Sequence, residues 1–208
     1  MEYIQQFFVV IVLMFSAVIH EVMHGVAADR LGDKTARYAG RLTLNPIPHL
    51  DPVGSVLLPI IFTISHSPIF FAWAKPVPYN PYNLRPGRFS EAVVAGAGPV
   101  SNLVIAIVFS IIIRLGIMGA QTNDILFLVV YINTMLCIFN LIPIPPLDGS
   151  KIISAILPHA WAGRYDTWRF QLESNPFAGM GLVLLVIILL GGAFGGFVSA
   201  IAQFITGV

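Results

Sequence analysis

Apolar residues run almost unbroken through four stretches of the chain, about Phe7–Ala28, Ala92–Ile113, Ile125–Ile144 and Phe177–Phe204. Each approaches or exceeds the roughly 20 residues that a helix needs to cross a bilayer. A fifth apolar stretch, Val53–Trp73, is interrupted by Ser65-His66-Ser67-Pro68 and also carries Pro59. Its halves, about ten residues each, suit a re-entrant hairpin better than a clean span. Between the apolar stretches lie short polar segments. Lys75–Glu91 is so rich in proline and asparagine that it predicts extended chain and turns. Gly149–Pro176 mixes Trp161, Tyr165 and Trp168 with Arg164 and Arg169, a pattern suited to the membrane interface. The predicted fold is an all-α membrane protein in a single domain over residues 1–208. It has four transmembrane helices, a re-entrant hydrophobic hairpin and a short extended or β element.

Composition sharpens the class. Hydrophobic types make up 57% of the 208 residues and charged types 10%, too few charges to coat a water-soluble globule. A net charge of +1 leaves no basic field for nucleic acid. The lone Cys137 excludes an intramolecular disulfide and a Cys-based zinc ribbon. Met1-Glu2-Tyr3 lacks a basic leader and an obvious cleavage site, so the first apolar stretch is expected to be a retained helix.

Chemistry concentrates in a few polar residues that a bilayer penalises. The first span contains His20-Glu21-Val22-Met23-His24. Positions i and i+4 share a helix face, so both imidazoles can reach one ion. Glu21 stands beside the first of them, placed to take a proton from water without ligating the ion. A core histidine pair with a stray glutamate is the bland alternative, and an uncompensated carboxylate in a membrane helix weighs against it. A catalytic zinc takes three protein ligands and keeps a position open. The outstanding third candidate is Asp148, in Asn140-Leu-Ile-Pro143-Ile-Pro145-Pro146-Leu-Asp148-Gly149, where three prolines break the helix. Taken alone, Asp148 is equally well a helix-end cap. Ser101 and Asn102, after Gly96-Ala-Gly98-Pro99-Val, are either interhelical hydrogen-bonding groups or residues facing a substrate cavity.

The joint occurrence of His-Glu-x-x-His in a first span, Gly-Pro-x-Ser-Asn in a middle span and Asn-x-x-Pro-x-Pro-Pro-Leu-Asp-Gly in a later one resembles the site-2 protease family of intramembrane zinc metalloproteases. Asn45-Pro46-Ile-Pro-His49-Leu-Asp51-Pro52 and Trp73-Ala-Lys75-Pro76-Val-Pro78-Tyr-Asn80-Pro81 resemble its minimal subgroup, which lacks PDZ and CBS domains. The resemblance implies one zinc ion held by His20, His24 and Asp148, with Glu21 as general base and Asn140 stabilising the transition state. It implies a transmembrane protein as substrate. Ser101, Asn102, Pro78 and Asn80 are the expected substrate-binding positions, and His49 is a further candidate for the site. The oligomeric state is not legible.

Ligand depth constrains topology. His20, His24 and Asp148 lie near the C-terminal ends of their spans, so those spans must run parallel if the three are to meet. Only one of the two apolar stretches between them can then cross, and the broken one is the natural exception. Loop charge agrees. With Val53–Trp73 re-entrant, ten of the eleven Lys and Arg fall on one side and only Arg114 on the other. The positive-inside rule then puts the active site toward the cytosol and both termini outside. The resemblance implies a bacterial or archaeal plasma membrane. A reporter fused after Val208 is expected to read non-cytoplasmic; a cytoplasmic reading contradicts this topology. A transporter with histidines along an ion path and a catalytically silent scaffold are the rivals. Neither gives Glu21 a task.

Overall fold

A computed structural model describes the backbone of residues 2–57, 60–61, 64 and 74–207. Helix dominates, and no strand occurs among the described residues. The chain forms two compact units, Met1–Arg85 and Pro86–Val208.

The first unit is built on α1, Glu2–Arg30, whose apolar part predicts a span and whose last turn carries Arg30. The helix stops where Leu31 N–H folds back to Ala27 O at 3.0 Å and Asp33 N–H to Ala28 O at 3.0 Å. A one-turn helix α2, Thr35–Tyr38, follows. Its buried Ala36 packs against Gly25 of α1, where an added Cβ would lie 3.2 Å from the Ala36 Cβ. The chain then runs irregularly through a 3-10 turn at Ile47–His49 and a π-helical turn at Pro52–Leu57. Most of the expected re-entrant hairpin, Val53–Trp73, lies outside the described residues. Residues 74–80 carry no regular secondary structure, and a 3-10 turn at Pro81–Asn83 follows. The expected short extended or β element therefore forms no strand among the described residues. Two prolines in four residues remove the N–H groups that a ladder needs.

The second unit holds α3 (Ser90–Arg114), α4 (Ala120–Asn140), α5 (Asp148–Ile156), α6 (His159–Glu173) and α7 (Pro176–Thr206). Helices α3, α4 and α7 meet around Ala106, Ile113, Val130 and Ala202, flanked by Phe109, Phe127, Tyr131 and Ile205. Lipid is as apolar as leucine, so membrane helices associate through close packing and internal hydrogen bonds. Both are present here: small residues at the contact, and Asn102 Nδ2 of α3 donating to Asn133 Oδ1 of α4 at 2.9 Å with both residues fully buried. Outward positions stay aliphatic, including Val100, Val104 and Ile111 on α3 and Ile188 and Leu189 on α7. Among the described residues, four helices, from Phe7, Ser90, Ala120 and Phe177, are long and apolar enough to cross a membrane. The protein is an integral membrane protein of all-α class.

Element ends differ from the apolar pattern in physically simple ways. Helix α4 begins at Ala120, five residues before the apolar run, and ends at Asn140, because Pro143, Pro145 and Pro146 cannot continue it. The interfacial segment is a regular helix, α6. Arg169 ties it to the start of α3 through Glu91 at 2.9 Å, with Asp166 and Glu173 also beside the guanidinium.

Candidate active site

His20 and His24 sit one turn apart on α1 and are nearly buried, with 6% and 9% of their surface exposed. Their rings stand edge to face, centroids 4.7 Å apart. One donor atom from each, together with a Glu21 carboxylate oxygen, lies within 4.8 Å of the other two. A tetrahedral zinc with nitrogen ligands holds those nitrogens about 3.4 Å apart. Two imidazoles and a carboxylate within 4.8 Å of one another are donor types that zinc takes, at a spacing somewhat wider than that of a bound ion.

Glu21 is held from outside its own helix. Its Oε2 accepts a hydrogen bond from the main-chain N–H of Val77 at 2.8 Å. The stretch that supplies this N–H is anchored independently. Lys75 N–H donates to His49 O at 2.8 Å. Arg41 Nη2 donates to Lys75 O at 2.9 Å and to Pro76 O at 3.3 Å. Arg85 N–H donates to Leu31 O at 2.7 Å, joining the far end of the stretch to the end of α1. His49 is buried, its Nε2 donating to Thr43 O at 3.0 Å.

Asp33 is the hub of this anchoring, and nothing in the sequence reading singled it out. It is fully buried. It accepts from Thr35 Oγ1 at 2.6 Å, Asn80 N–H at 2.7 Å and Asn83 Nδ2 at 2.9 Å. Burial pushes its carboxyl up. The hydrogen bonds from the Thr35 side chain, the Asn83 side chain and the Asn80 and Thr35 backbones outweigh that and hold it below its ordinary value. A carboxyl depressed in the fold contributes stability that is complete above its unfolded pKa, about 4, and is lost as pH falls through the lower folded value. Asp33→Asn is expected to lower stability at pH 7 by about 1–3 kcal/mol and to flatten the acid limb of the unfolding curve. Thermal unfolding of both proteins between pH 3 and pH 7 checks this, and parallel curves would refute it.

The remaining candidates can be placed within their own units. Asp148 is the first residue of α5 and is 8% exposed. Its neighbour Gly149 is pressed against backbone: a Cβ there would overlap the carbonyl oxygens of Leu141 and Ile142. Asn140 ends α4, its Nδ2 donating to Leu136 O at 2.9 Å. Ser101 Oγ donates to Gly98 O at 2.7 Å, and Asn102 joins α3 to α4, which is the interhelical role open to it from the sequence. Pro78 is exposed, and Asn80 caps the turn at Pro81–Asn83 by accepting from Tyr82 N–H at 3.0 Å.

A long apolar helix carries His-Glu-x-x-His with three potential metal-ligating groups close together and the glutamate hydrogen-bonded from a second segment, the arrangement that a metallopeptidase centre in a membrane protein would need. The model of peptidase family M50 matches residues 116–186, the stretch that contains Asn140 and Asp148. YwhC of Bacillus subtilis is 36% identical over 160 residues, covering 73% of this chain and 69% of the relative. Rip2 of Mycolicibacterium smegmatis is 30% identical over 194 residues, covering 91% and 70%. MJ0392 of Methanocaldococcus jannaschii is 26% identical over 180 residues, and the chain covers 42% of its length. All three carry zinc-metalloprotease names. No solved structure matches the chain. The chain belongs to peptidase family M50, the site-2 protease family.

Proposed function

We propose that this zinc metalloprotease hydrolyses a peptide bond in or near the transmembrane segment of a membrane-protein substrate. The observation that carries the reading is the clustering of His20, Glu21 and His24 on a helix apolar enough to span the bilayer. A catalytic centre at that depth acts where membrane segments are and where soluble peptides are not.

His20 and His24 would hold the zinc, with Asp148 as the third ligand and the fourth position open. When bound, zinc lowers the pKa of water to about 7 and polarises a carbonyl as a Lewis acid. Glu21 takes the proton from the attacking water and delivers it to the leaving nitrogen. Asn140, at the end of α4, donates to charge that develops on the scissile carbonyl oxygen. The near-burial of His20 and His24 lowers the local dielectric and strengthens these electrostatic contacts. A helical substrate hides its carbonyls in its own hydrogen bonds, so it must unwind locally before one can react; spans with helix-weakening residues are the expected targets. Pro78 and Asn80, with Ser101 near the middle of α3, are the positions proposed to meet the unwound chain; Asn102 would reach it only by giving up its buried bond to Asn133. Strand-like pairing of a substrate along residues 75–80 would require exchange of the bonds that Lys75, Val77 and Asn80 already make. Loop charge supports an active site toward the cytosol with the N-terminus outside.

The test is cleavage of a single-span substrate by the protein reconstituted in liposomes. Chelation should abolish cleavage and one equivalent of zinc per chain should restore it. Cleavage that persists at full rate without bound metal would overturn the reading.

A further inference from the structure

We infer that Val77 is a positioning residue whose main-chain N–H keeps Glu21 working as a base and prevents it from becoming a fourth metal ligand. The inference rests on the proposed role of Glu21 and adds to it the group that enforces that role.

Three observations meet here. First, Pro76-Val77-Pro78 offers a single N–H, because neither proline has one. That one N–H is spent on Glu21 Oε2 at 2.8 Å. Second, Val77 seats on α1 at two positions one turn apart. Its N–H meets Glu21, and its side chain lies over Gly25, where an added Cβ would come within 2.8 Å of Val77 Cγ1 and 2.6 Å of Leu42 Cδ2. Val77 is 5% exposed in this seat. Third, the strap does not depend on Glu21 for its place. Arg41 holds the carbonyls of Lys75 and Pro76, and Asp33 holds the N–H of Asn80. A donor fixed on both sides can orient a carboxylate.

The need for such a donor follows from the same cluster. A Glu21 oxygen lies within 4.8 Å of a donor atom on each histidine, so a modest rotation would bring the carboxylate onto an ion held by them. A carboxylate that ligates the ion fills the open position and gives up its basic lone pair. With Oε2 tied to Val77, the carboxylate plane is set and Oε1 is left to receive a proton.

The first measurement is amide hydrogen exchange at Val77 in the metal-free protein, wild type against Glu21→Ala. Loss of the bond is expected to speed exchange about tenfold. Equal exchange means that the bond does not form, and the inference falls. The second measurement is kinetics with zinc content determined for each protein. Val77→Pro removes the donor in a segment already proline-rich. It should keep zinc and KM and lose kcat about tenfold or more. Val77→Ala keeps the N–H and should recover most of that loss. If Val77→Ala loses as much kcat as Val77→Pro, side-chain packing and not the N–H is responsible, and the inference is overturned. If Val77→Pro does not fold, Arg41→Ala takes its place: slackening the strap should lower kcat with zinc retained, and unchanged kcat contradicts the inference. A wild-type protein that cleaves no membrane substrate sinks the proposed function instead, while the exchange measurement still decides whether Val77 holds Glu21.

Discussion

Glu21→Gln retains one zinc per chain and loses cleavage by about 10²–10⁴-fold, the range associated with removal of a general base. Glutamine keeps the length of the side chain and an oxygen that can still accept from Val77 N–H, so the 2.8 Å contact and the helix around it survive. What disappears is the ability to take a proton. The two histidines are untouched, so metal analysis separates loss of base from loss of site. His20→Ala should behave differently and lose the metal together with the activity. A Glu21→Gln protein that cleaves at the wild-type rate would remove the residue from the mechanism.

Gly149→Ala is the most damaging small substitution expected in the second unit. A Cβ at this position would overlap the Leu141 carbonyl and lie 2.5 Å from Ile142 O, and both neighbours are backbone that cannot rotate away. The chain between the end of α4 and the start of α5 must therefore move, at a cost of about 3 kcal/mol or more. Asp148, the residue before it and the proposed third ligand, moves with it, so on that proposal zinc affinity should fall along with thermal stability. Gly181 on α7 is the control, because an added Cβ there meets nothing within 4 Å. Gly181→Ala should leave stability within about 0.5 kcal/mol. Equal unfolding temperatures for the two variants would show that the tight turn before α5 is not as constrained as its geometry indicates.

The parts of the structure legible in the sequence are those with local causes. Four helices follow from four apolar runs, because length and hydrophobicity alone decide whether a segment can cross. The cluster of His20, Glu21 and His24 follows from i,i+4 spacing on a helix, which needs no knowledge of the rest of the chain. The break after Asn140 follows from three prolines. Asp33, Arg41 and Val77 were not legible as a set, since the bonds of Asp33 and Arg41 to residues 75–83 and of Val77 to Glu21 join positions far apart in sequence and leave no period. The one available signal was weak: a charged residue, Asp33, immediately beyond the end of an apolar helix, with asparagines at 80 and 83 to receive it. The asparagine at 102 was legible as polar within a span, but its partner, Asn133, lies on another helix and carries no marker of the pairing. The helicity of α6 is not legible in the sequence, because its aromatic and arginine positions mask any clean amphipathic stripe.

The zinc requirement, the base and the membrane setting converge on one place, the scissile bond. The decisive measurement is mass-spectrometric mapping of both cleavage products from a single-span substrate, reconstituted with the zinc-loaded protein in liposomes. The expected cut lies within or at the edge of the spanning segment, and the same products are absent with Glu21→Gln. Cleavage confined to the water-exposed tails of the substrate, or identical products from the Glu21→Gln protein, would contradict the account.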